Sequence, residues 1–155
     1  MFFSMSDTKF LIKEISFEEC LPLLKELWPD METILPVDNI FGLIDFTKKG
    51  IAKIKPKFFA AQVNDRYVAC THAYMTNTTD LRIRGTYCQE SFRRSGIAKE
   101  VCLYAIKQFT EARMVYTFPR IGAEKFYENL GFSISSQTWP IYKGIKFGKM
   151  YIQNE

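Results

Sequence analysis

The run Ser91-Phe92-Arg93-Arg94-Ser95-Gly96-Ile97-Ala98 sets two arginines beside a glycine, between a strand-like stretch and an amphipathic one. A helix that opens there offers unpaired backbone N–H groups and the positive end of its dipole. Gly96 lets that backbone approach an anion closely, because no Cβ stands in the way. Together these features predict a phosphate cradle. A second group lies downstream, where Tyr127 stands in Ala123-Glu124-Lys125-Phe126-Tyr127-Glu128-Asn129-Leu130-Gly131-Phe132. A phenol can donate a proton in catalysis, and at helical spacing from Ala123 and Leu130 it can equally pack in a core.

Other chemistry is poorly supplied. Cys20, Cys70, Cys88 and Cys102 are widely spaced, with no C-x-x-C pair, and His72 is the single histidine. No zinc or other metal set is expected, and the thiols read as reduced, buried residues of a cytoplasmic protein. His72 sits inside a strand-like run, where a lone histidine is more often a core residue than a base. Lys48, Lys49, Lys53, Lys55 and Lys57 form a basic window without an acid. We read it as a solvated face, with attraction to a polyanion or to cofactor phosphates as the alternative. A net charge of +4 is too mild to demand nucleic acid, and no nucleic-acid partner is expected.

The elements that must position these groups follow from pattern. Residues 10–15 read as a first strand. Ser16 and Glu19 then have capping-box form, and Leu21, Leu24, Leu27 and Trp28 follow at helical spacing. Pro22 predicts a kink or a later start. Residues 31–47 suggest a second helix. A hairpin pairs 57–63 with 67–75 through Asn64-Asp65-Arg66, and after a turn at 77–80 a strand runs over 81–88. The next helix runs from Ser95 to about Ala112, with Ile97, Val101, Tyr104, Ala105 and Phe109 on one face. A short strand at 114–118, a helix at 121–130 closed by Gly131, and strands at 132–138 and 146–153 complete the chain. The strand–helix–strand unit over 81–118 requires a right-handed crossover and so a parallel pair.

Length suits one domain spanning residues 1–155, and composition is that of a soluble globular protein. No apolar run reaches membrane-spanning length, and the opening residues lack the basic and apolar regions of a secretory signal.

Both chemical stretches match one pattern. Arg93-Arg94-Ser95-Gly96-Ile97-Ala98 resembles the Q/R-x-x-G-x-G/A motif of the GCN5-related N-acetyltransferases (GNAT), and residues 123–132 resemble that superfamily's A-x-x-[FL]-Y-x-x-x-G-F. The resemblance covers residues 57–135 best. It implies an α/β fold: a mixed, mostly antiparallel central sheet flanked by helices on both faces, with one parallel pair splayed around the cofactor. It implies acetyl-CoA as co-substrate, without a metal, and direct transfer of the acetyl group to a primary amine. By resemblance, Arg93, Arg94, Ser95, Gly96, Ile97, Ala98 and Lys99 would hold the pyrophosphate. Tyr87, Cys88 and Gln89 would flank the pantetheine arm, one of their N–H groups polarising the thioester carbonyl. Tyr127 would protonate the departing thiolate.

Two departures stand out. Arg120 occupies the place of an asparagine that contacts CoA in many relatives, and it would bind a cofactor phosphate or an acidic acceptor. The strands flanking the cradle carry no carboxylate, which leaves the base open among Glu90, His72, water or none. The expected protein is thus a monomeric or homodimeric N-acetyltransferase acting on an unidentified amine. The alternative is an acyl-CoA-binding sensor with little turnover.

Overall fold

The computed structural model describes residues 2–5, 8–29, 56–117, 119, 122–134, 141–142, 145–146 and 150–153. The helix expected at 31–47, Lys48 to Lys55 of the basic window, and Arg120 lie outside the described residues.

The chain opens with a hairpin of β1 (Phe2–Met5) and β2 (Thr8–Ile15). Pattern alone shows no strand at residues 2–5, because the segment is held by β2's backbone rather than by an alternating face. Helix α1 (Phe17–Leu27) begins where expected: the Ser16 hydroxyl accepts from the Glu19 N–H at 3.1 Å, and the Glu19 carboxylate accepts from the Ser16 N–H at 3.0 Å. Pro22 neither delays nor ends this helix. It costs one backbone hydrogen bond, but Cys20, Leu23 and Leu24 on the buried face hold the turns on either side against the sheet.

Next come β3 (Lys57–Val63), β4 (Arg66–Met75) and β5 (Asp80–Cys88), paired antiparallel in succession. In β3, Phe58 and Ala60 enter a core beneath α1, whereas Phe59 and Ala61 enter a second core beneath helix α2 (Ile97–Lys107). Successive strand residues point to opposite faces, so a sheet covered on both sides needs such an unbroken apolar run. Strand β6 (Met114–Thr117), helix α3 (Glu124–Asn129), β7 (Ser133–Ile134), β8 (Ile141–Tyr142), β9 (Ile145–Lys146) and β10 (Met150–Gln153) follow. One sheet has the order β1-β2-β3-β4-β5-β6-β10-β7, and β8 pairs with β9 apart from it. The stretch expected as one strand over 146–153 therefore divides between two sheets. Among the described residues all pairs are antiparallel except β5 with β6, so the mixed sheet with one parallel pair is as expected.

Helix α2 is shorter than its apolar stripe suggests. Gly96 has φ +84°, a left-handed conformation that cannot belong to the helix, and this moves the start from Ser95 to Ile97. At the other end, the N–H groups of Gln108, Phe109 and Ala112 reach back only three residues, so the chain leaves in tight turns. Helix α3 likewise spans Glu124–Asn129 within the expected 121–130, of which residue 121 lies outside the described residues.

Two irregularities in β5 shape the molecule. Opposite β4, Cys70 pairs with Tyr87 but His72 pairs with Arg84, so Thr71 faces both Gly85 and Thr86 in a β-bulge. Gly85 has φ +65°, and a Cβ there would lie 2.7 Å from His72 Nδ1. Before the bulge, Leu81 and Ile83 point into the α2 core; after it, Cys88 does so and Tyr87 packs against the α1 core. The extra residue has exchanged the two faces of the strand. Its displaced carbonyls are met by β4: Thr71 Oγ1 donates to Arg84 O at 3.3 Å, and the Cys70 thiol to Gly85 O at 3.6 Å. The second irregularity is that β6 pairs with β5 only from Asp80 to Arg82 and then parts from it. Thr117 Oγ1 donates to Ile83 O at 2.9 Å where they separate.

His72 is wholly buried, 5.1 Å from the Phe58 ring and 6.3 Å from Tyr74 between centroids. Burial, reinforced by the charges of Arg84 and Arg82, holds its imidazole well below the ordinary range and hence neutral. An unfolded chain takes up a proton there below about pH 6.5, whereas the folded chain resists doing so. The unfolded state then binds more protons, so stability should fall as pH drops from about 6.5, with a slope approaching about 1.4 kcal/mol per pH unit. Urea unfolding between pH 7.5 and 5.5 should show the decline. The single histidine's proton NMR signal should not titrate over the same range; an ordinary titration midpoint near 6.5 would contradict it.

Candidate active site

After β5 the chain makes a short 3₁₀ turn, Glu90–Phe92, and then places Arg94 at φ +64° and Gly96 at φ +84°. Side-chain-bearing residues rarely adopt the conformation that Arg94 takes. Gly96 supplies no side-chain cap to α2, and the first intrahelical bond runs from the Glu100 N–H to Gly96 O at 3.1 Å. The helix therefore offers no acceptor to the N–H groups of Ile97, Ala98 and Lys99. They open, with the side chains of Arg93 and Arg94, onto a cleft of about 480 Å³.

Three elements line this cleft: Thr86, Tyr87 and Cys88 from β5; Phe92, Arg93, Arg94 and Gly96 to Lys99 from the turn and α2; and Ala123, Phe126, Tyr127 and Asn129 from the α3 segment. Its β5 wall, Thr86 to Cys88, lies beyond the stretch of β5 that pairs with β6. Of the residues named from sequence, Tyr87, Cys88, Arg93, Arg94, Gly96, Ile97, Ala98, Lys99 and Tyr127 are thus brought together. Ser95 is not among the lining residues, and its hydroxyl donates to Phe92 O to brace the turn. Gln89 also turns elsewhere. Its N–H donates to Val68 O at 2.8 Å, which spends that group on the ladder, and its amide reaches Glu26. Arg93 Nε donates to Cys88 O at 2.8 Å, tying the cradle to the end of β5.

Tyr127 is placed by a helix stop. Gly131, at φ +103°, lets its own N–H reach Glu128 O at 2.9 Å and the Phe132 N–H reach Tyr127 O at 3.0 Å. This paired C-cap normally brings the residues at its two ends into contact. Here they are Phe132 and Tyr127, with ring centroids 5.6 Å apart and an edge-on geometry; Phe126 packs on the other side at 5.0 Å. Burial, helped by the Cys102 thiol, pushes the phenol well above the ordinary tyrosine range, while the hydroxyls of Thr86 and Thr117 pull the other way. The result is a phenol at the cleft wall that keeps its proton at neutral pH and so is not available as a base.

Cys88 is a poor nucleophile in this setting. Burial raises its thiol above the usual value, and Arg93 only partly offsets that. Cys102, beneath it, is pushed up to about 11, chiefly by burial. All four cysteines are free and buried. Among the described residues no group of three His, Cys, Asp or Glu side chains is arranged to hold a metal ion.

Neither of the two side chains among which the base was left open lines the cleft. His72 is packed under Gly85 on the α1 face, and Glu90 is exposed on the 3₁₀ turn. Sequence reasoning missed Thr86 and Thr117, which approach Tyr127 from separate strands, and Glu26, 61 residues from its partner Tyr87. Phe92 and Phe126 were adjacent to recognised residues but carried no signal beyond apolarity. Of the basic window, Lys57 stacks its ammonium 5.6 Å over Phe109, as a solvated edge residue would. Among the described residues no helix is long and apolar enough to cross a membrane.

Comparison with known proteins bears on the fold. The chain superposes on an aminoglycoside 6′-N-acetyltransferase complexed with coenzyme A with a TM-score of 0.69, at 14% identity over 92% of this chain and 96% of that one. A GNAT family acetyltransferase from Elizabethkingia anophelis with acetyl-CoA bound gives 0.65 at 16% identity, covering 94% and 98%. An acyl-CoA N-acyltransferase from Pseudomonas aeruginosa gives 0.66 at 14%, covering 94% and 99%. These likenesses establish the shared fold. No protein of curated function matches the chain by sequence. The Acetyltransferase (GNAT) family's model matches residues 17–132, from the first helix to the end of the tyrosine motif, and the chain belongs to that family.

Proposed function

We propose that this family member is an acetyl-CoA-dependent N-acetyltransferase that passes the acetyl group directly to a primary amine. One observation carries the reading above the others: the anion cradle and a protonated, buried tyrosine open onto the same cleft. The N–H groups of Ile97, Ala98 and Lys99, with Arg93 and Arg94, bind the pyrophosphate. Tyr87 and Cys88 line the pantetheine arm. The amine's nitrogen bonds to the thioester carbon, the carbon–sulfur bond breaks, and Tyr127 gives its proton to the departing sulfur. The proton lost by nitrogen returns to the phenol through solvent. The protonated Cys88 thiol favours this direct route over a covalent acetyl-cysteine. Four free, buried thiols suit a reducing compartment, and we place the protein in the cytoplasm as a monomer or homodimer.

A second reading is a binder of acyl-CoA with little turnover. It is favoured by the absence of any carboxylate among the described residues that line the cleft.

Acetyl-CoA at a hundredfold excess over its Kd should stabilise the folded protein by about 2.7 kcal/mol. Gly96→Glu puts a carboxylate and a strained side chain into the cradle and should abolish that effect. A thermal shift that persists in the folded variant would locate the cofactor elsewhere. Tyr127→Phe keeps the ring contacts with Phe126 and Phe132 and removes only the hydroxyl. It should lower kcat by about 10²-fold or more, with acetyl-CoA affinity little changed. Parent-like turnover in this variant would make Tyr127 a packing residue. CoA release from no amine in a broad panel, despite tight acetyl-CoA binding, would establish the binder.

A further inference from the structure

The bulge that turns Tyr87 onto the α1 face also brings it to a charge. Tyr87 Oη donates to Glu26 Oε1 at 3.1 Å, and Gln89 Nε2 lies 3.3 Å from Oε2 and 3.4 Å from Oε1. Glu26 is exposed near the C-terminal end of α1, where a free glutamate would normally sample several rotamers in water. Two donors from the end of β5 fix it instead. A phenol and an amide are both neutral; the cation beside them is Arg93, 5.7 Å over the Tyr87 ring, with its Nε bonded to Cys88 O. Helices α2 and α3 and the cradle close one side of the cleft, and Tyr87, which lines it, turns its hydroxyl to the other side, towards α1.

We propose that Glu26 anchors a cationic group of the acceptor, so that the amine substrate carries a second ammonium distant from the nitrogen that is acetylated. This rests on the transferase reading above. The carboxylate is held at the tips of the Tyr87 and Gln89 side chains and does not line the cleft, so it stands apart from a nitrogen attacking a thioester beside Cys88. That distance suits the far end of a diamine-like acceptor, whose reacting nitrogen enters between Tyr87 and the cleft. An ammonium donating to a preorganised carboxylate forms a charge-assisted hydrogen bond, stronger than the same contact to a neutral group. Arg93 over Tyr87 and Arg84, stacked 5.4 Å over the Trp28 ring, are competing charges, and they would instead favour an acceptor bearing a carboxylate.

Calorimetric titration of the CoA-saturated protein measures acceptor binding without turnover. The probes are 1,5-diaminopentane, pentylamine and 5-aminopentanoate, of matched length. The diamine should bind about tenfold or more tightly than the monoamine. Glu26→Gln, at an exposed position, should remove that preference while leaving CoA affinity unchanged. Equal affinities for diamine and monoamine, a preference that survives in Glu26→Gln, or tighter binding of the aminocarboxylate would each overturn the proposal. Failure of the transferase reading has a different signature: diamine binds to the acetyl-CoA complex in a Glu26-dependent manner, and no CoA is released.

Discussion

The contact between Gly85 and His72 is the constraint on which the site depends. A side chain at Gly85 would overlap the imidazole, and its positive φ is one that other residues adopt only at a cost of about 1–3 kcal/mol. Glycine there permits the bulge, and the bulge exchanges the faces of β5. Had the strand continued in register, Tyr87 would point into the α2 core and Cys88 towards α1. The cleft would lose the wall it presents to a ligand, and Glu26 would lose its partner. The neutral, buried His72 is part of this arrangement: a charged imidazole at that position would sit between Arg82 and Arg84 without solvent. In this fold the lone histidine supports backbone geometry rather than proton transfer.

The bulge and the fork also leave polar groups that a regular sheet would have paired. Side chains compensate for them: Thr71 and Cys70 serve the carbonyls of Arg84 and Gly85, and Thr117 serves Ile83. Buried carbonyls without partners would each cost about 1–3 kcal/mol, so these hydroxyl and thiol donors are what make the opening tolerable. The same hydroxyl-rich floor, with Thr86 bonded to Thr71 at 2.9 Å, lies against the phenol of Tyr127. Structural compensation and the environment of the acid thus come from one small set of side chains.

Much of this was legible in the sequence because it is local. The capping box at Ser16, the glycine stop at Gly131, the hairpin between β3 and β4 and the arginine–glycine turn each depend on residues within a few positions of one another. Their spacing also carried the family. The bulge was not legible, since glycine and threonine in a strand look alike whether the register slips or holds. The family resemblance sets Gln89 beside the cofactor, yet its amide goes to a residue of α1 far away in sequence. Glu26 and Thr117 likewise gain their meaning only from tertiary neighbours. Helix α2 was overextended because an apolar stripe continues through Phe109 and Ala112, which remain buried after the helix has ended.

On the proposed reading, the cleft between β5 and α3 receives the thioester end of the cofactor beside the Tyr127 hydroxyl. NMR of protein labelled with 13C at the tyrosine ring carbon bearing the hydroxyl, with Tyr127 assigned by substitution, tests it most directly. On titration with CoA the Tyr127 signal should move in a saturable step. Without CoA it should stay in its protonated position at pH values where exposed tyrosines, near pH 10, have already ionised. Saturable CoA binding that leaves the Tyr127 signal unmoved, or ionisation of Tyr127 alongside the exposed tyrosines, would contradict the account.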